Sequence, residues 1–258
     1  MSELEFLDAV HVELLRHREL HPEHYDHELF QTSTVQALLA GAFDGDVTLE
    51  EILDHGNLGL GTLNGLDGEL IVIDGVAWQA KLDGTLERPA TSSKTPYAVV
   101  VPFTPAEPVE LAGPLSEADL DGHLRHHVGE AERPIAVRID ARFEQAHVRS
   151  VPKQTPPYSP LAEVIAQQQV TELHDFSGTM VGFCFPTALD GIEMIGWHLH
   201  LVTRDRARGG HVLSFTLHDG FAHVDDMTGL HVELPPAVAI PRHGDAADQD
   251  LLRGLETD

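Results

Sequence analysis

Leu70-Ile71-Val72-Ile73-Asp74-Gly75-Val76-Ala77-Trp78-Gln79-Ala80 marks the chain as β-rich. Four apolar, mostly β-branched residues run into an Asp-Gly pair, which tolerates the positive φ of a hairpin turn, and five residues of mixed character lead back. Asp83-Gly84 is a second such turn, and residues 98–101 are apolar throughout, as a strand buried on both faces requires. Upstream, Thr48-Leu49-Glu50-Glu51 is a capping box, and Thr32 or Ser33 can cap a helical run through Val35, Leu38 and Leu39 that stops at Gly41. Residues 5–30 show a loose helical pattern rich in histidine.

Downstream, Ser116-Glu117-Ala118-Asp119 starts a helix, and residues 135–139 with 143–151 read as a hairpin. Pro152, Pro156, Pro157 and Pro160 forbid regular structure and suggest a boundary. Strands resume at 178–185, at 195–202, and at 211–217, the last turning at Asp219-Gly220 into 221–224. The expected organisation is an N-terminal α/β lobe (1–151), a β-rich metal-binding lobe (152–241) and an acidic tail (242–258) docking back on the site.

With 258 residues the chain can bury a large core, and 16 basic against 42 acidic residues give a net charge of −26. That balance repels phosphate backbones and anionic bilayers, so neither nucleic acid nor a membrane is an expected partner. Cys184 is the only cysteine, which excludes an internal disulfide and a zinc ribbon. Met1-Ser2-Glu3-Leu4-Glu5-Phe6 is acidic, unlike a secretory leader, and a cytoplasmic location is expected.

In Trp197-His198-Leu199-His200-Leu201, alternation along a strand sends both imidazoles to one face and the three apolar side chains to the other. His211 follows Gly209-Gly210, and a hairpin there would bring a third imidazole beside the pair. Three neutral imidazoles with an open coordination position are what a catalytic zinc needs. With 18 histidines in the chain, a His-x-His pair arises by chance about once, so the pair alone carries little weight. The helically spaced groups His17, His21, His24, His27 and His123, His126, His127 have polar neighbours and read as solvated surface.

Gly59-Leu60-Gly61-Thr62-Leu63-Asn64-Gly65-Leu66-Asp67-Gly68-Glu69-Leu70-Ile71-Val72, then Gly196-Trp197-His198-Leu199-His200 and Gly209-Gly210-His211-Val212-Leu213, resembles the α-acetolactate decarboxylase family. Supporting blocks are Ser33-Thr34, Lys94-Thr95-Pro96-Tyr97-Ala98-Val99 and Arg149-Ser150-Val151-Pro152-Lys153-Gln154. The resemblance implies an α+β fold of two β-rich lobes, a mixed sheet plus a smaller barrel-like sheet, with flanking short helices, in a homodimer. It also implies Zn2+ held by His198, His200 and His211, and decarboxylation of (S)-2-acetolactate to (R)-acetoin and CO2 through a metal-stabilised enediolate. Glu69, Arg149 and Glu256 would then be catalytic, with Thr62 and Arg149 binding substrate. Trp197 stands where tyrosine is the commoner residue.

The chemistry needs such groups. Loss of CO2 leaves negative charge on the ketone oxygen, and a divalent ion about 4 Å away at an effective dielectric near 20 contributes on the order of 8 kcal/mol. Read without the family, Glu69 is equally a solvated strand-end carboxylate, Arg149 a surface residue, and the glycines simple turn formers. Two alternatives are a cupin-like metal enzyme and a non-catalytic metal or small-acid binding module. A cupin would want a glutamate shortly after His200, where Leu201-Val202-Thr203-Arg204-Asp205 offers only aspartate.

Overall fold

The strands of the computed structural model, which describes residues 11–16, 26–125 and 133–234, fall into one large mixed sheet, one smaller sheet that closes on itself, and a two-stranded ribbon. The large sheet has eight strands in the order β1 (His11–Arg16), β15 (Gly229–Leu234), β2 (Glu28–Thr32), β9 (Tyr97–Val101), β4 (Leu58–Thr62), β5 (Glu69–Ile73), β6 (Val76–Ala80) and β7 (Leu86–Glu87). The small sheet has five, β10 (Val109–Ser116), β14 (Gly209–Asp226), β11 (Ile135–Ser150), β12 (Gln169–Phe185) and β13 (Gly196–Thr203), and β13 pairs back onto β14. The ribbon pairs β3 (Val47–Thr48) with β8 (Lys94–Thr95). Short helices α1 (Val35–Leu39), α2 (Leu49–His55), α3 (Glu117–Arg125) and α4 (Leu161–Ile165) flank these sheets. The class is α+β, as the resemblance implies.

Local chemistry explains the elements. Asp74 and Gly75 take φ of 54° and 71°, and the turn they form joins β5 to β6. At α2 the Thr48 amide donates to Glu51 Oε2 at 2.7 Å while the Glu51 amide donates back to Thr48 Oγ1, a reciprocal cap whose loss typically costs about 1 kcal/mol. Thr34, one residue beyond the expected pair, caps α1 by accepting from the Ala37 amide. Alternation along β12 divides the core: Val181, Phe183 and Phe185 pack between the sheets, whereas Met180 and Cys184 point into the closed sheet. Leu199 and Leu201 join the latter group, with Trp197 packed against it.

Residues 135–151 do not form a hairpin, because β11 is one strand of 16 residues, and Asp140, Ala141 and Arg142 keep pairing with Thr179, Gly178 and Ser177. Nor does β14 turn at Asp219-Gly220. It runs straight through, and Gly220 serves close packing, since a Cβ there would lie 2.5 Å from the Asp140 carbonyl oxygen. The reversal before β14 is made at residues 204–208, with Gly209 and Gly210 already in the strand. In the N-terminal segment, β1 and β2 are strands rather than helix, each pairing in parallel with β15. β10 and β11, before Pro152, belong to the small sheet, and β15, after it, to the large one. His17, His21, His24, His126, His127, Glu256 and the tail 242–258 lie outside the described residues.

The glycines of the 59–68 block bring backbones together as well as turning them. A Cβ on Gly61 would meet the Tyr97 carbonyl oxygen at 2.4 Å and Ala98 Cα at 2.8 Å, so β4 and β9 close only around a glycine. Gly61→Ala is expected to destabilise the fold by at least about 2 kcal/mol, read as a lowered urea midpoint. An unchanged midpoint would mean the two strands have slack.

Candidate metal centre and active site

Strand register assembles the site from two rows. Across the small sheet His200 pairs with His211 and His211 with Arg149, so three side chains from β13, β14 and β11 stand level on one face. Across the large sheet Tyr97 pairs with Thr62 and Thr62 with Glu69, which levels side chains of β9, β4 and β5. The rows meet in a cleft that Val35, Leu66, Val151, Ile165 and Met194 line with apolar surface. His198, two residues before His200, joins from the same face of β13.

Candidate ligand atoms of His198, His200 and His211 all lie within 4.8 Å of one another, and all three residues are buried. His200 Nδ1 sits 2.8 Å from the Leu70 carbonyl oxygen, so it carries the proton and Nε2 holds the lone pair. That Nε2 is 3.3 Å from His211 Nδ1 and 3.7 Å from Glu69 Oε2. Burial holds His200 well below the usual imidazole range, His211 and Arg149 push further the same way, and the bond to Leu70 opposes them. Burial and then Arg149 do the same to His211. Both rings are therefore neutral nitrogen donors at ordinary pH. A buried set of three imidazoles beside a carboxylate fits a divalent ion of zinc type.

Arg149 and Glu69, 7 % and 8 % exposed, approach to 3.9 Å between Nη1 and Oε1. Neither is the solvated surface group that the sequence left open. Thr62 Oγ1 donates to the Gly68 carbonyl at 2.7 Å, which fixes the turn leading into Glu69. Of the rival histidines that are described, His27 lies 2.5 Å from Asp225 and His123 is exposed, both away from the cleft.

Sequence reasoning missed Glu193. Only 1 % exposed, it accepts a hydrogen bond of 2.5 Å from the hydroxyl of Tyr97. Its signal was a single carboxylate inside the apolar run Ile192-Glu193-Met194-Ile195.

Comparison with known proteins fits this geometry. The profile of the alpha-acetolactate decarboxylase family matches residues 29–239. An alpha-acetolactate decarboxylase of Methylococcus capsulatus is 37% identical over 233 residues, covering 90% of this chain and 87% of that protein. One from Klebsiella aerogenes is 36% identical, covering 83% of this chain and 82% of its own. The crystal structure of alpha-acetolactate decarboxylase from Bacillus subtilis strain 168 superposes with a TM-score of 0.85 at 29% identity, over 90% of this chain and all of that one. A decarboxylase is thereby favoured over both the cupin-like enzyme and the non-catalytic binder, and the chain belongs to the alpha-acetolactate decarboxylase family.

Proposed function

We propose that the chain is a zinc-dependent carboxy-lyase that converts (S)-2-acetolactate to (R)-acetoin and CO2, with His198, His200 and His211 as the metal ligands. The observation that carries this reading is the convergence of three buried imidazoles with Glu69 and Arg149 in one largely apolar cleft. A bound zinc would supply a Lewis acid able to take up the negative charge that develops on the substrate's ketone oxygen.

The chain's own residues do the rest. The guanidinium of Arg149 binds the substrate carboxylate by charge-assisted hydrogen bonds and orients the bond that breaks. That carbon–carbon bond opens, CO2 departs, and the bonding pair remains with the enediolate. Glu69, in its acid form, delivers one proton to the carbon that lost the carboxylate, on the face it occupies, completes acetoin and is left as the carboxylate, to be reprotonated from solvent before the next turnover. Thr62 holds the turn that aims Glu69. Val35, Leu66, Val151 and Ile165 exclude water, which strengthens each of these electrostatic contacts. Glu256 is the second candidate proton donor, on the family resemblance alone. The same resemblance supports a cytoplasmic homodimer, and no helix of the described residues is long and apolar enough to cross a membrane.

Acetoin formation from racemic acetolactate, followed by colour reaction with and without a chelator, tests the proposal. Treatment with chelator is expected to abolish turnover and added zinc to restore it. Full activity in metal-depleted protein would contradict it.

A further inference from the structure

The wall of the cleft above Thr62 is held by a contact that neither the metal nor the proposed acid explains. Tyr97 stands level with Thr62, two strands from Glu69, and Met194 comes from the loop before β13; both line the cleft. The loop's backbone is fastened to α1 and β2, with the Val35 amide donating to the Ile192 carbonyl at 2.9 Å and Gln31 Nε2 donating to the same oxygen at 3.0 Å. From that loop Glu193 reaches back to the Tyr97 hydroxyl. We propose that Glu193 is a positioning residue: by binding Tyr97 while being joined through the chain to Met194, it locks both side chains into the wall against which the substrate rests.

The inference rests on the cleft being the substrate site. Burial pushes the Glu193 carboxyl up to about 8, against the opposing effects of the Tyr97 hydroxyl and the Met194 amide, so it is mostly neutral at pH 7. Among the described residues Tyr97 is the titratable side chain hydrogen-bonded to it from β9, and Gln31 and Val35, which secure the loop, carry no charge. A neutral acid can share a hydrogen bond with a buried phenol without adding a charge to the pocket. Ionisation would place a buried anion there and disturb that contact.

Steady-state kinetics and melting curves of four variants test this. Glu193→Ala and Tyr97→Phe are each expected to raise KM about tenfold, roughly the value of one net hydrogen bond, with kcat within about threefold. The double variant should be no worse than either single one, because both break the same contact. Glu193→Gln, neutral and of the same shape, should restore KM to within about twofold at pH 7. Between about pH 7 and pH 9 the wild type's KM should climb several-fold while that of Glu193→Gln stays flat.

A folded Glu193→Ala with the wild-type KM overturns the proposal. So do additive effects in the double variant, or a stable Glu193→Gln that fails to recover. If His200→Ala is fully active, the assignment of the site fails instead. An inactive His200→Ala beside an unaffected Glu193→Ala refutes the positioning role alone.

Discussion

Replacing His200 by alanine is expected to remove bound zinc and to lower acetoin formation at least about a thousandfold, the two losses arriving together. His200 is central in the geometry. Its Nε2 is 3.3 Å from His211 Nδ1 and 3.7 Å from Glu69, and its Nδ1 is tied to the Leu70 carbonyl of the opposite sheet. Truncation removes one of three nitrogen donors and the bond that orients it, so two imidazoles remain, too few for a tight tetrahedral site. Metal content by elemental analysis and acetoin formation by colour reaction read the two effects. Circular dichroism separates them from unfolding, because His200 is also buried against β5. A folded variant that keeps either zinc or activity would remove His200 from the metal site.

Glu69→Gln separates proton delivery from metal binding. The variant should hold zinc as the wild type does while kcat falls by roughly a hundredfold or more, the usual scale for loss of a positioned acid. Glu69 starts β5, is 8 % exposed, and lies between Arg149 and His200 at 3.9 and 3.7 Å, so an amide of the same shape fills the space without a transferable proton. Metal content and single-turnover rates at saturating substrate are the measurements. Full turnover would remove Glu69 from the mechanism and leave Glu256 as the acid. Loss of zinc together with turnover would make Glu69 part of the metal site instead.

The parts of the fold that sequence made legible are those in which neighbouring residues decide the structure. Asp74-Gly75, the Thr48 to Glu51 box and the alternation of Trp197 to Leu201 each depend on backbone and side-chain preferences within a few residues, and each is found as read. What escaped was set by distant pairing. Asp140 to Arg142 and Asp219-Gly220 carry turn-like polar residues, yet β11 and β14 hold each other extended along their length, and the glycine meets the need for close approach. The parallel return of β15 between β1 and β2 also leaves no local mark.

The site shows the same division. His198 and His200 share a face by alternation, whereas the level placement of His211 and Arg149 follows from the register of β14 with β13 and β11. Glu69 and Arg149 were legible only through the family resemblance, since an acid at a strand end and an arginine on a strand are ordinary alone. Glu193 was hidden because what gives it a role, the Tyr97 hydroxyl, is 96 positions away.

X-ray absorption at the zinc edge of the purified, metal-loaded enzyme decides whether His198, His200 and His211 hold the ion. One zinc per chain is expected, with three imidazole nitrogens at about 2.0–2.1 Å and the remaining positions filled by oxygen. A spectrum dominated by sulfur, or one showing fewer than two imidazoles per ion, would contradict it.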